Sequence, residues 1–166
     1  DSERTFIALG LLASVLGSGY LWDQVRGNNG AYGVESHVDG MEDLFVFSSY
    51  RDPCIDKTFR TFEKALSHRI GETEIGYAKV TVIGKEIRPR SPRTKSSEAF
   101  RKVLLKASTN LYLRRRKLLL SMTPEDMDQA GKLVKSLYRT NRSCTVVCGL
   151  DMAKTEGLDD NVALPL

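Results

Sequence analysis

The sequence predicts an α+β fold in which an antiparallel sheet is packed on one face by helices. Two short segments rich in β-branched and aromatic residues flank the turn Asp39-Gly40, which is typical of a hairpin. Longer segments with apolar residues at helical spacing precede and follow this hairpin. With 166 residues and 41% hydrophobic content, the chain is long enough for about one domain.

The first predicted helix begins at a Ser2 cap and contains the apolar run from Phe6 to Leu16. Because this run is apolar nearly all round, the helix is expected to be enclosed by other structure. The run is shorter than the roughly 20 residues that a bilayer requires, and it lacks the flanks of a signal peptide. We therefore expect no membrane span. The start without a methionine or a preceding strand indicates a fragment of a longer protein.

The hairpin follows a glycine-rich turn. Gly17 and Gly19 interrupt the first helix, and a short helical turn is predicted around Leu21 to Val25. The chain then passes through Gly27–Gly30 into a predicted strand from Ala31 to Val38. A second strand is predicted from Leu44 to Tyr50.

The segment after the hairpin is predicted to be helical. Asp52-Pro53 ends the second strand and opens a helix with one buried face. That face comprises Ile55, Phe59, Phe62, Leu66 and Ile70. The stretch from Glu74 to Ile87 suits either a helix or a strand, because Val80, Val82 and Ile83 are compatible with both.

Two further helices are predicted after the proline-containing linker Arg88–Pro92. The first runs from Ser97 to about Leu120. Its inward residues are predicted to be Phe100, Val103, Leu104, Ala107, Leu111 and Leu118. The second begins at the Thr123 cap, with proline at the first helical position, and runs to about Tyr138.

The end of the chain is predicted to contain a buried strand from Cys144 to Cys148, followed by a surface tail from Ala153 to Leu166. We expect all three cysteines, Cys54 included, to be unpaired thiols. So few cysteines in a chain of this size favour a reducing, intracellular compartment. Residues 1–152 are interpreted as part of one domain and residues 153–166 as a tail.

The glycine-rich turn carries the candidate site, because it presents the guanidinium of Arg26 and the phenol of Tyr32. Both groups donate hydrogen bonds at neutral pH. Two fixed donors a few residues apart suit the binding of a peptide carbonyl or a developing oxyanion. The alternative is structural: Arg26 solvates a helix end and Tyr32 begins a half-buried strand.

Three motifs resemble the presequence-protease branch of the insulinase-like (pitrilysin) zinc metallopeptidases. They are Gly19-Tyr-Leu-Trp-Asp-Gln-Val-Arg26, Gly30-Ala-Tyr32-Gly33 and Phe47-Ser-Ser-Tyr50-Arg-Asp-Pro53. The resemblance is dense over residues 5–70 and weaker up to Tyr138; the basic linker after Arg88 departs from the family pattern. It implies part of the last of four homologous domains, with intracellular peptide degradation in the cytoplasm or an organelle matrix.

The resemblance also implies the roles of the site residues. Tyr32 would donate to the oxyanion and Arg26 would hold substrate backbone, while Gly30 and Gly33 would let the substrate backbone approach closely. Zinc would be bound in the first domain by an inverted His-x-x-Glu-His motif, outside this chain. Neither His37 nor His68 has a second histidine at that spacing. No metal site is therefore expected here, and the isolated chain is expected to be inactive.

The charge distribution supplies a rival interpretation. Between Lys85 and Lys117 there are twelve Lys or Arg residues and two acids, in a chain of net charge +4. Such a stretch could neutralise nucleic-acid phosphates. No interleaved aromatic residues or recognition motif supports that function, however.

A further alternative is a noncatalytic structural or assembly homologue of these peptidases. A purely architectural subunit has no chemical need for both Arg26 and Tyr32, which favours a substrate-binding role. We expect peptide substrates and the other domains of the parent polypeptide as partners, and neither a membrane nor nucleic acid. A sheet edge left unpaired is expected to promote self-association of the fragment.

Overall fold

The computed structural model describes residues 2–106 and 109–148. Within these residues the fold combines six α-helices with a two-stranded antiparallel sheet, which confirms the α+β class. The elements are α1 (Ser2–Ser18), a π-helix (Trp22–Asn28), β1 (Gly33–Asp39), β2 (Leu44–Tyr50), α2 (Ile55–Ala65), α3 (Glu72–Ile87), α4 (Pro92–Leu104), α5 (Thr109–Leu120) and α6 (Pro124–Thr140).

Helix α1 is the centre of the core. It packs against β1, α3, α5 and α6. Leu11, Leu12 and Leu16 are each at most 2% exposed. This packing confirms that the nearly all-apolar helix is enclosed by the rest of the domain.

The helical stretch Ser2–Asn28 is longer than the sequence predicts. By length and composition alone it could cross a membrane, since an 18-residue window within it has a mean hydropathy of 1.6. Helical structure resumes after Gly19, so the helical stretch extends beyond the apolar run from Phe6 to Leu16 on which the expectation of no membrane span rests. Its apolar residues nevertheless form the core shared with the sheet and the other helices, as in the central helix of a globular domain.

The two strands pair in the register Ser36↔Phe47, which places both residues on the face covered by helices. Phe47 stacks on Phe62 of α2, with ring centroids 5.0 Å apart. The Ser36 hydroxyl donates a buried 2.6 Å hydrogen bond to the Ala13 carbonyl of α1. A Cβ atom on Gly17 would lie 3.1 Å from that hydroxyl. Small residues on both elements therefore allow this close contact between helix and hairpin.

Helix α6 begins with the predicted cap. The Thr123 hydroxyl accepts a hydrogen bond from the Asp126 backbone, and the Asp126 carboxylate accepts one from the Thr123 backbone. Arg4 of α1 donates to both oxygens of Asp126, at 2.8 and 2.6 Å. The hydrogen bond from Arg4 is the largest cause of the lowered pKa of the Asp126 carboxyl.

Several predicted boundaries differ from the structure. Strand β1 begins at Gly33 rather than Ala31, and the turn around Leu21 to Val25 becomes a π-helix that extends to Asn28. Of the predicted inner face of α2, Phe62 and Leu66 are buried and Ile70 reaches the core from beyond the helix end. Ile55 and Phe59 are only half-buried. The ambiguous stretch after Glu74 is helix α3.

The single long helix predicted from Ser97 to Leu120 is wrong. The structure has two helices, and α4 ends at Leu104, shortly before Lys106, whose φ of 50° lies in the left-handed region. The linker also ends earlier than predicted, since Ser91 caps α4. Phe100, Val103 and Leu104, which were predicted to face inward, are 66, 75 and 64% exposed. Leu111 and Leu118 are half-buried, and Ala107 lies outside the described residues.

The predicted buried strand from Cys144 to Cys148 is also wrong. These residues have no regular secondary structure, and both cysteines are exposed. The described part of the chain contains no third strand to supply ladder hydrogen bonds to them. All three cysteines are unpaired, as predicted. The predicted tail from Ala153 to Leu166 lies outside the described residues.

Candidate functional site

The candidate site lies on the connection between the π-helix and β1. The Ala31 backbone N–H donates to the Val25 carbonyl at 3.2 Å and closes this connection into a turn. Val25 and Ala31 are 0 and 3% exposed, so they anchor the turn in the core. Arg26 and Tyr32 each follow one member of this hydrogen-bonded pair. The turn therefore positions the two predicted donors from one common anchor.

Arg26 lies in the last turn of the π-helix and is exposed. Its guanidinium carbon lies 4.2 Å from the centroid of the Trp22 ring, which is a cation–π contact between two exposed side chains. The indole face restricts where the guanidinium can lie while leaving its N–H groups able to donate.

Tyr32 is held by its backbone and presents its ring to solvent. Its N–H donates to the carbonyls of Tyr50 and Arg51 at the end of β2, at 3.0 and 3.3 Å. The ring is 66% exposed and contacts Tyr50 edge-on, with centroids 6.0 Å apart. Among the described residues, the structure shows no hydrogen bond to the Tyr32 hydroxyl. That hydroxyl can therefore donate to a ligand without breaking an internal bond.

Gly30 has a conformational reason to be glycine, since its φ is +80°. A Cβ atom there would meet only Pro53, at 3.7 Å, which is an ordinary contact. Gly33 pairs with Tyr50 in the sheet, and a Cβ atom on it would lie 3.9 Å from the Tyr50 Cβ. Within this chain the turn therefore requires glycine at Gly30 but not at Gly33.

Arg51 and Tyr50 are neighbours of the site to which the sequence analysis assigned no role. The guanidinium carbon of Arg51 lies 5.9 Å from the Tyr32 ring centroid and 5.6 Å from that of Tyr50. Arg51 also has a φ of 48°, a strained conformation for a residue other than glycine. The signal in the sequence that could have identified them is an aromatic residue and an arginine directly before the Asp52-Pro53 break.

A cavity of about 470 Å³ opens beside Arg51 and Asp52. Its apolar lining includes Phe47, Phe59 and Phe62, and residues 145–148 lie along it. Its lining combines these aromatic side chains with polar ones, among them Ser48, Ser49 and Thr58.

The two histidines lie on separate parts of the fold with different neighbours. His37 is exposed on β1, whereas His68 contacts Tyr20 and has its Nε2 3.5 Å from Glu74 Oε1. Within residues 2–106 and 109–148, no three His, Cys, Asp or Glu side chains are grouped to hold a metal. The described residues thus do not fit a zinc site.

Comparison with known proteins gives consistent matches. The family model described as the PreP C-terminal domain matches residues 7–149. Over 84% of its own length, the chain is 28% identical to the mitochondrial presequence protease of Xenopus laevis. Over 85% of its own length, it is 27% identical to that of Schizosaccharomyces pombe. It is also 27% identical to an uncharacterized protein of Borreliella burgdorferi over 86%.

These matches extend over most of the chain but over a small part of each relative. The chain spans 13–15% of the length of these three curated relatives. The predicted resemblance to the C-terminal domain of such a protein is thereby confirmed. The chain belongs to the family of presequence protease C-terminal domains.

Proposed function

We propose that this chain, within a larger peptidase, supplies hydrogen-bond donors to a peptide substrate during hydrolysis. The supporting observation is the closed turn between Val25 and Ala31, which positions two exposed donors, Arg26 and Tyr32. Its relatives are named presequence proteases, which supports a peptidase as the parent. Their mitochondrial names support an organelle matrix, or another intracellular compartment, as its location.

Tyr32 is proposed to donate to the scissile carbonyl oxygen as that oxygen becomes negative. A donor fixed before the reaction stabilises the transition state more than the ground state, because the charge on the oxygen grows during the reaction. The guanidinium of Arg51, near the Tyr32 ring, adds positive charge on the same side of the hairpin.

Arg26 is proposed to hold the substrate backbone in the ground state. Its planar fork donates to carbonyl oxygens, and Trp22 restricts its orientation. The cavity beside Arg51 and Asp52 is proposed to receive one apolar side chain of the peptide. Zinc is proposed to be bound by other domains of the parent, where it would activate the attacking water.

The proposal is tested with Tyr32→Phe and Arg26→Lys in the full-length parent, measuring turnover, KM, bound zinc and Tm. Tyr32→Phe should lower turnover by roughly 10²- to 10³-fold. It should leave zinc content and Tm unchanged, because the ring is 66% exposed. Arg26→Lys should act mainly on KM, since a point charge replaces a planar fork.

Tyr77→Phe is the matched control, because Tyr77 is a 73% exposed tyrosine on α3, outside the turn. It should change none of the four quantities. A fully active, zinc-replete Tyr32→Phe enzyme would refute the proposed role of the hydroxyl. A substitution at Tyr32 that lowers only Tm would indicate the alternative, in which Tyr32 serves only as the beginning of a half-buried strand.

A further inference from the structure

Helix α4 presents its apolar residues to solvent instead of to the domain. Phe100, Val103 and Leu104 are 66, 75 and 64% exposed, and no residue of α4 is buried. These three residues occupy positions i, i+3 and i+4, so they form one stripe on the helix. A surface helix normally turns such a stripe toward the core.

Two polar side chains of α4 contact neighbouring parts of the chain. Glu98 forms an ion pair with Arg90, and the Lys102 ammonium lies 4.5 Å from the centroid of the Tyr112 ring of α5. Glu98 and Lys102 are one turn apart, and at 100° per residue they lie opposite Phe100 and Leu104. The apolar stripe therefore lies on the side of α4 away from these two contacts.

The surroundings of the stripe are basic. The segment from Lys85 to Lys117 contains twelve cations and two acids. Both acids, Glu86 and Glu98, already form ion pairs with arginines. Arg93 is exposed and falls on the same side of α4 as Phe100. A surface complementary to this one is therefore apolar at its centre and acidic at its rim.

The size of the stripe favours a protein surface over a lipid bilayer. The apolar side chains occupy only the C-terminal half of α4, whereas its first six residues are proline and polar residues. The affinity of an interfacial helix for a membrane increases with the apolar area that it buries, and on α4 that area is limited to three large side chains. Three anchors at i, i+3 and i+4 are what a helix places in a protein groove. Because the chain spans only 13–15% of its relatives, most of such a parent lies outside it.

We propose that Phe100, Val103 and Leu104 dock into an apolar groove with an acidic rim on another domain of the same parent polypeptide. This proposal assumes the larger parent but is independent of the roles proposed for Arg26 and Tyr32. Its tests below measure burial and not activity, so the two proposals can fail separately.

The first test compares maleimide labelling of Val103→Cys in the 166-residue chain and in the full-length parent, read by peptide mass spectrometry. The cysteine should be labelled about tenfold more slowly in the full-length protein. Such protection is expected if the docked stripe must open, at a modest free energy, before the cysteine can react. Val80→Cys is the matched control, because Val80 is a valine on α3 that is 71% exposed. Its labelling should be equally fast in both forms. Equal labelling of Val103→Cys in both forms would overturn the proposal.

The same experiment distinguishes other occupants of the stripe. If Val103→Cys becomes protected in the 166-residue chain as its concentration rises, the occupant is a second copy and the proposal is wrong. It is also wrong if protection requires vesicles that contain anionic phospholipid.

A second variant tests the acidic rim. Arg93→Glu should abolish most of the protection of Val103→Cys in the full-length protein, whereas Arg93→Lys should retain it, because only the former reverses the charge. Protection that persists in Arg93→Glu would contradict an acidic rim.

Discussion

Replacing Gly30 by alanine should destabilise the chain by about 1 kcal/mol, because the residue has a φ of +80°. The left-handed conformation costs an L-residue about 1–2 kcal/mol. Alanine also restricts the unfolded chain, which offsets about 0.4–1 kcal/mol of that cost. The new Cβ would lie 3.7 Å from Pro53 Cγ, an ordinary contact, so no clash adds to this sum. The net effect lowers Tm by about 2–4 °C.

The assay is thermal or urea unfolding of the 166-residue chain, followed by circular dichroism. Gly76→Ala on α3 is the matched control, because nothing lies within 4 Å of a Cβ atom there. That change should stabilise the chain by about 0.5–1 kcal/mol, as expected for a glycine in a helix interior. Gly30→Asn should cost less than Gly30→Ala, because asparagine tolerates the left-handed region. The reasoning is refuted if Gly30→Ala is neutral or stabilising while Gly76→Ala behaves as expected.

Four other predictions concern the core, pH, association and metal content. Leu16→Ala should cost about 2–5 kcal/mol of unfolding free energy, because this side chain is 0% exposed; a cost near zero in urea unfolding would contradict the central place of α1. The pKa of the Asp126 carboxyl is lower in the folded chain than in the unfolded chain. Its carboxylate therefore stabilises the fold at pH values above the unfolded pKa of about 4, and this stabilisation is lost as the pH falls through the folded pKa. Asp126→Asn should therefore lower Tm at pH 7 more than at pH 2, and equal losses at both would argue against the Arg4 contact. The isolated chain should self-associate through an unpaired sheet edge, and a clean monomer in sedimentation at high concentration would exclude this. Dialysed chain should hold no stoichiometric zinc, and one tightly bound zinc per chain would contradict the assignment of zinc to other domains.

Local signals predicted the elements that depend on local interactions. Strand β2 has the predicted bounds, and α6 begins at the predicted Thr123 cap. The cap satisfies backbone groups within four residues, so its energy is already determined by a short stretch of sequence. The same holds for the hairpin, whose alternation and turn residues are adjacent in the chain.

Predictions that depended on distant partners were less accurate. The apolar spacing of Phe100, Val103 and Leu104 correctly indicates one helical stripe but does not show whether this chain covers it. The β-branched run from Cys144 to Cys148 likewise forms a strand only if a partner strand is available. The break at Lys106 carries no glycine, proline or asparagine signal, so two helices were predicted as one.

The candidate site was only partly accessible to sequence analysis. The motif resemblance located Arg26 and Tyr32, and the structure shows that one turn positions both. Arg51 and the cavity beside it depend on the end of β2 meeting the start of α2, which the sequence pattern does not specify. The cation–π contact of Arg26 with Trp22 depends on helical structure that extends past the short turn predicted from Leu21 to Val25.

The hydrogen bond between Ser36 and Ala13 joins residues 23 positions apart and thereby closes a loop that contains both proposed donors. Closing a loop of that length costs about 3 kcal/mol of chain entropy. This entropy is lost when the domain folds, and so it is not lost again when a peptide binds. Preorganisation of Arg26 and Tyr32 therefore depends partly on Gly17, which lies outside the turn and lets the helix approach Ser36. A larger residue at Gly17 would loosen the loop and weaken the proposed binding of substrate without touching either donor.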